Sequence, residues 1–284
     1  MKFFLLSTDH LQTKLWFGDD ADYAVAMNYV AITAYRYSVN VVAFILMSNH
    51  VHFILECEKE TAADFVSFFK EMYGLYRRKR YGDTQYLRGV LVDIQNVPLE
   101  NESMERAIAY VQSNSVAARL CTHPSGYPWG TGNVFFDSTF YEVHPVGSLS
   151  ARKRASIMHS KLPVNPGWSL GPGGFILPKC YVTTSFVEGL FRTPSRYQYF
   201  LDNSSKVRKT REQVSPSFSD QLVLTASLNL CHSLFRANSI DDLSPSQTAE
   251  LVKQLKRRFS SDAAQISRTT GVAYSEALRI LESI

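Results

Sequence analysis

"NVVAFILMSNHVHFILEC", residues 40–57, is two apolar runs hinged on Ser48 and Asn49. Each run is short and rich in β-branched and aromatic residues, and serine and asparagine favour turns, so the stretch predicts a β-hairpin. The unbroken apolar character places the hairpin inside a sheet. Strand side chains alternate faces, so His50 and His52 leave the second strand on one side, about 7 Å apart along the backbone. Each neutral imidazole there needs a partner or carries a desolvation cost of a few kcal/mol. The plain reading is two half-buried histidines with hydrogen-bond partners. The sharper one is a divalent cation that takes a nitrogen from each, with a third ligand from elsewhere.

Working outward, "KFFLLST" at 2–8 reads as a buried strand. "DDADYAVAMNYVAITAYRYS" at 19–38 has an acidic start and an apolar face through Tyr23, Ala26, Met27, Val30, Ala31 and Ala34, which predicts an amphipathic helix. "TAADFVSFFKEMYGLYRRKRYG" at 61–82 predicts a second helix, capped by Thr61, with Arg77 to Arg80 near its C-terminus. "GVLVDIQNV" at 89–97 is a fourth strand, and "NESMERAIAYVQSNSVAARLC" at 101–121 a third helix capped at Asn101 or Ser103. The order over residues 1–121 is the split βαββαβ pattern of an α+β, ferredoxin-like antiparallel sheet.

Residues 122–215 are rich in proline, glycine and serine; "WSLGPGGFILP" at 168–178 predicts a hairpin, and a helix pair broken near Pro194 leads into a basic tail. "VSPSFSD" at 214–220 has the composition of a linker. Beyond it the chain reads all-helical. "SPSQ" at 244–247 has capping-box spacing, and two short helices flank Gly271. Ile266, Val272, Ala277 and Ile280 suit the inside of a helix-turn-helix, though ordinary bundles share the pattern. The organisation is therefore residues 1–135, an extension over 136–215, and a C-terminal helical module over 216–284.

Of 284 residues, 45% are hydrophobic and 20% charged, as in soluble globular proteins. Residues 1–190 hold 17 basic and 17 acidic side chains and residues 191–284 hold 13 and 9, so the net charge of +4 lies in the last third, where an anionic partner is expected. The four cysteines lack metal or redox spacing, which points to free thiols in a reducing compartment. The opening apolar run is too short for a signal peptide, and no stretch reaches the ~18 residues of a membrane span. A cytoplasmic, nucleoid-associated protein is expected.

The third helix supplies a candidate ligand for the histidines. Tyr110 and Asn114 share a helical stripe. The apolar stripe runs through Met104, Ala107, Ile108, Val111 and Ala118, and Tyr110 lies about 160° round from Ile108, off the centre of the buried face. The Asn114 carbonyl is a hard-oxygen donor suited to Mg²⁺ or Mn²⁺. The alternative for Tyr110 is an ordinary surface tyrosine, one of 15 in the chain.

"NHVHFIL" resembles the His-hydrophobe-His motif of the HUH single-strand DNA nucleases, and "AYVQSN", about sixty residues later, resembles their catalytic-tyrosine helix. Order, spacing and the βαββαβ pattern are similar to the single-tyrosine transposases, above all the REP-associated branch, in which asparagine commonly stands a turn past the tyrosine. "SGYPWGTG" at 125–132 resembles the segment that follows, and the likeness is looser through residues 173–201. The branch often has proline after that asparagine, whereas Ser115 stands here.

The resemblance implies a metal-dependent transposase-type endonuclease that cleaves and rejoins single-stranded or hairpin DNA, with Tyr110 as nucleophile and His50, His52 and Asn114 on Mg²⁺ or Mn²⁺. Tyr23, Tyr29 and Tyr35 stay open as other nucleophiles. Two rival readings are a non-catalytic protein that recognises hairpin repeats and a replication-initiator or relaxase nickase. DNA contacts are expected from Lys70, Arg77, Arg78, Lys79 and Arg80, interleaved with Phe69, Tyr73, Tyr76 and Tyr81 as stacking rings, and from Lys206, Arg208, Lys209, Arg257 and Arg258. A solvated helix end is the competing reading of these tracts. Ligand histidines that face solvent carry little packing, so their removal is expected to leave the fold intact. With the site before residue 121, cleavage of a short substrate is expected to persist without residues 216–284.

Overall fold

Strand β1 (Phe3–Thr8), helix α1 (Asp20–Tyr37), strands β2 (Asn40–Met47) and β3 (His50–Glu56), helix α2 (Lys59–Tyr81) and strand β4 (Val92–Asn96) follow in that order. The computed structural model describes residues 2–8, 15–82, 87, 89–139, 143–204 and 218–283. The four strands form an antiparallel sheet in the order β2-β3-β1-β4, so the chain is α+β. Ser48 and Asn49 make the tight turn of the β2–β3 hairpin, with Met47 opposite His50.

The β3 alternation separates two layers. Phe53 turns its ring toward Phe65 and Phe69 of α2, at 5.3 and 5.5 Å between centroids. His50 and His52 take the opposite face by period two. There lies helix α3 (Ser103–Gln112), whose Tyr110 meets His52. Helix α1 lies beside α2, with Tyr29 edge-on to Tyr76. Its buried side includes Tyr23, Ala26, Met27, Val30, Ala31 and Ala34, the face read from the sequence.

Three helix ends differ from expectation. Helix α2 begins at Lys59 with Glu58 at its cap, so Thr61 lies inside the first turn rather than before it. Neither Asn101 nor Ser103 caps α3: Glu100–Glu102 winds as a 3₁₀ turn, Asn101 and Glu102 take left-handed φ of 57° and 60°, and Glu102 holds the cap position. Helix α3 also stops at Gln112, and the single turn α4 (Asn114–Ala117) follows.

The free edge of β2 is closed by the segment after α4. Leu46 N–H donates to the Trp129 carbonyl at 2.8 Å, and Thr131 N–H to the Phe44 carbonyl at 3.0 Å. Between them Gly130 bridges to Ile45. A Cβ on Gly130 would stand 2.7 Å from the Phe44 carbonyl oxygen and 3.1 Å from the Ile45 Cα, both backbone atoms. Only glycine permits this approach. Gly130→Ala is expected to lower unfolding free energy by about 2 kcal/mol, as overpacking against backbone does; chemical denaturation reads it, and an unchanged midpoint would contradict the close contact.

The extension packs strands β5 (His144–Pro145) and β6 (Ser169–Leu170) and helices α5 (Ala151–Met158), α6 (Thr184–Phe191) and α7 (Pro194–Asp202) onto the same core as the sheet. The hairpin expected over 168–178 is the Leu170–Ile176 bridge, closed by Gly171 N–H on the Phe175 carbonyl. A second core belongs to helices α8 (Asp220–Leu230), α9 (Pro245–Phe259), α10 (Ala263–Thr270) and α11 (Tyr274–Glu282). Ser244 and Gln247 form the capping box of α9. Gly271 ends α10 at φ 80°, and Ile266, Val272, Ala277 and Ile280 are buried around that turn. The four cysteines are free thiols. Among the described residues no helix is long and apolar enough to cross a membrane.

Candidate active site

Central strand β3 and helix α3 bring three of the candidate residues into contact. The His50 and His52 rings lie 5.0 Å apart between centroids at 83°, and His52 meets the Tyr110 ring edge-on at 5.7 Å and 78°. The two histidines are 7% and 2% exposed, and Tyr110 is half-buried. Histidine ligands that face open solvent are therefore not what the fold presents. Their strand is covered by α3, so removing either ring vacates packed space.

Each histidine is held through Nδ1. The Asn49 side-chain oxygen lies 2.9 Å from Nδ1 of His50. An amide oxygen only accepts, so Nδ1 of the neutral ring carries the proton and Nε2 the lone pair. Ser7 Oγ lies 2.8 Å from Nδ1 of His52, because β1 pairs with β3 in the register that sets Ser7 opposite His52. Both Nε2 atoms are buried. Ring nitrogens oriented through the other nitrogen are the usual second tier of a metal-binding histidine. Sequence reasoning missed Ser7 and Asn49; the period-two pattern of β1 and the position of Asn49 in the turn were the available signals.

Asn114, 4% exposed, is placed by the helix break. Its side-chain nitrogen donates to the carbonyls of Tyr110 at 2.9 Å and Val111 at 3.1 Å. Those bonds tie up the end of α3 and leave Oδ1 as the amide's acceptor. The donor atoms that the three candidate ligands would offer a cation are Nε2 of His50, Nε2 of His52 and Oδ1 of Asn114; the contacts described join the two histidines with Tyr110, and Asn114 with the end of α3. Among the described residues no group of three histidine, cysteine, aspartate or glutamate side chains could do so.

Gln112, also unnoticed in the sequence, anchors the tyrosine helix. Its side-chain nitrogen donates to the Thr131 hydroxyl, which in turn accepts from Phe44 N–H at 3.0 Å. The "GTG" segment thereby links α3 to the edge of β2.

The tyrosines of α1 lie elsewhere. Tyr23 stacks between Phe17 at 4.4 Å and Trp129 at 4.9 Å, and Tyr35 packs edge-on to Trp168. Burial raises the phenol pKa of Tyr23 and of Tyr29 well above the ordinary value. Nucleophiles of that kind are poor ones.

Helix α2 does not present its basic tract as expected. Arg77 donates to the Trp16 carbonyl at 2.6 Å, and Lys70 to the Val90 carbonyl at 2.6 Å. Burial lowers the Lys70 pKa. Arg80 pairs with Asp19 and Asp22. Phe69, Tyr73 and Tyr76 are buried, and Tyr81 lies under the Arg77 and Arg80 guanidinium groups at 4.7 and 5.0 Å. Phe69, Tyr73 and Tyr76 are packed within the fold rather than displayed for base stacking, and of the four rings Tyr81 alone is exposed. Arg78 and Lys79 stand exposed, as do Arg257 and Arg258 at the end of α9. Lys206, Arg208 and Lys209 lie outside the described residues.

Asp22 is the hub of that helix pair. It is fully buried and accepts from Gly18 N–H at 2.7 Å and from the Tyr76 and Tyr81 hydroxyls at 2.9 Å, besides Arg80. Asp22→Ala strips the acceptor from Gly18 N–H and the Tyr76 and Tyr81 hydroxyls and leaves Arg80 with Asp19 alone, and it is expected to cost about 3 kcal/mol of stability, the scale for losing the partner of a buried polar cluster. Urea unfolding reads it; a loss below about 1 kcal/mol would reduce the cluster to a surface ion pair.

No protein-family model matches the chain, and no curated protein and no solved structure matches it.

Proposed function

We propose that the protein is a metal-dependent endonuclease of the HUH single-tyrosine transposase type, which cleaves and rejoins single-stranded DNA through Tyr110. The observation that carries the reading is the contact of the Tyr110 ring with the paired histidines, 5.7 Å from His52 across the α3–β3 interface. The antiparallel order β2-β3-β1-β4 supports the ferredoxin-like split βαββαβ form of the sheet.

The donor set fits a divalent cation: the amide oxygen suits Mg²⁺ or Mn²⁺, and the two imidazole nitrogens, with rings oriented from behind, favour Mn²⁺ of the two. A cation held by His50, His52 and Asn114 would supply charge withdrawal and alignment at a phosphodiester. The chain does the rest. Tyr110 Oη attacks phosphorus, a P–Oη bond forms, and the bond to the 3′ oxygen breaks. The phenolic proton ends on the leaving 3′ hydroxyl. The DNA is left joined to Tyr110 as a 5′-phosphotyrosine, which keeps the ester's energy for rejoining without ATP. A neutral phenol is a weak nucleophile, which is why charge withdrawal at the phosphate is needed. Exposed Arg78, Lys79, Arg257 and Arg258 are left to track the backbone.

The test is incubation of labelled single-stranded hairpin DNA from the flanks of the gene with protein and Mn²⁺. A covalent adduct on a denaturing gel, lost on chelation, is expected. Specific hairpin binding with no adduct would favour the non-catalytic reading.

A further inference from the structure

The β2–β3 turn that bears the histidines is held from the C-terminal helices. Ser48 carries two restraints. Its carbonyl accepts from Trp16 N–H at 2.7 Å, and its hydroxyl donates to Asp220 Oδ2. Asp220 opens α8, 172 residues further along the chain. It is 5% exposed and also accepts from Arg268 Nε at 3.0 Å and Nη2 at 3.2 Å and from the Gln265 side chain at 3.0 Å, both on α10. Next to it, Gln221 donates to the Phe17 carbonyl and the Tyr23 hydroxyl, both at 3.1 Å. One residue past Ser48 is Asn49, whose side-chain oxygen sets the His50 tautomer.

We propose that Asp220 is a positioning residue for His50: it holds the Ser48–Asn49 turn from the C-terminal module and so couples helix α10 to the histidine pair. The chain of contacts runs from Arg268 through Asp220 to Ser48, and from the adjacent Asn49 to His50. A buried carboxylate is desolvated and stays only where its acceptors are filled. Here one filling donor comes from the turn and three from α10, so the carboxylate fixes the two units in register. Loss of the Ser48 link leaves the turn with its backbone restraint from Trp16 alone, and the Asn49 oxygen then holds Nδ1 of His50 less firmly in the protonated form. The consequence for cation binding rests on the proposed nuclease reading; the consequence for the ring does not.

The experiment uses the full chain with ¹⁵N-histidine at pH 8. Long-range ¹H–¹⁵N correlation reports which His50 nitrogen is protonated, and titration with Mn²⁺ alone reports affinity. Ser48→Ala and Asp220→Ala are expected to move His50 from one tautomer to a mixture and to weaken Mn²⁺ binding about tenfold, the lower end for outer partners of a ligand. Ser244→Ala is the control. It removes the capping box of α9 and lowers the melting midpoint without touching Ser48, Asp220 or helix α10, so it is expected to leave tautomer and affinity unchanged. Should Asp220→Ala fail to fold, Ser48→Ala, which removes one oxygen, decides alone. A wild-type tautomer in Ser48→Ala, or an equal shift in Ser244→Ala, overturns the inference. Wild-type protein that binds no Mn²⁺ but shows the tautomer shift in Ser48→Ala overturns the nuclease reading and upholds the positioning.

Discussion

Tyr110→Phe is expected to abolish the covalent DNA adduct completely while leaving the protein folded. The substitution removes one oxygen and keeps the ring. Phenylalanine and tyrosine have similar helix propensity, so α3 forms as before. The edge-on contact with His52 needs only the ring, and the Gln112–Thr131 link that anchors the helix is untouched. Binding of single-stranded DNA and of Mn²⁺ should stay near wild type, because the proposed ligands and the exposed cations are intact. The expected loss is total: with the phenolic oxygen gone, no attack at phosphorus follows. Of the other candidate tyrosines, Tyr23 and Tyr29 are buried with raised phenol pKa, and Tyr35, exposed on α1, packs edge-on to Trp168 and not on the histidine pair. Retained adduct in the variant would remove Tyr110 from the mechanism.

Replacing either histidine is expected to have an effect of the same size on the metal. His50→Ala or His52→Ala removes one of two nitrogen donors, and Mn²⁺ affinity should fall by more than roughly 100-fold, beyond what loss of an outer partner costs. Adduct formation should vanish with it. These variants also carry a structural penalty, because the rings are 7% and 2% exposed. Each should lose roughly 2 kcal/mol of stability, the ordinary scale for a buried truncation. The two effects separate in isothermal titration and thermal melting of the same samples. Wild-type Mn²⁺ affinity in both variants would place the cation elsewhere.

The sheet was legible because its signals are local. The apolar runs at 2–8, 40–47 and 50–56 and the turn at Ser48 and Asn49 became β1, β2 and β3, and the period-two argument put both histidines on one face. The contact of Tyr110 with that face was anticipated only through family resemblance; helical spacing alone put the ring off the apolar stripe. What failed was long-range. The tract at the end of α2 looked like a DNA-binding edge because Asp19 and Asp22, which neutralise Arg80, lie about sixty positions earlier. The same helix held a readable warning: Phe65, Phe69, Tyr73 and Tyr76 recur at helical spacing, the mark of a buried stripe rather than of stacking platforms. The end of α3 was misjudged for a different reason. Asn114 was read only as a ligand, yet its amide nitrogen bonds to the last-turn carbonyls, and the helix breaks there.

The separation of the C-terminal helices from the site was also misread. With every proposed catalytic residue before residue 121, their removal promised an intact nuclease. Asp220 and Gln221 instead bond to Ser48, Phe17 and Tyr23. Truncation would uncover those groups and free the histidine turn, so a truncated chain confuses lost DNA contacts with a disturbed site. Point changes at Arg257 and Arg258, exposed at the end of α9, leave the bonds of Asp220 and Gln221 in place and so probe DNA contact directly.

The central claim is that Tyr110 bonds to DNA, and it is tested most directly by mapping the adduct. Wild-type protein is incubated with labelled single-stranded hairpin DNA and Mn²⁺, trimmed with nuclease, digested with trypsin, and analysed by mass spectrometry. The account predicts a nucleotide mass on the peptide that contains "AIAYVQSNSVAAR", with fragment ions placing it on Tyr110. A nucleotide on any peptide of α1, or no modified peptide beside a cleaved substrate, would contradict it.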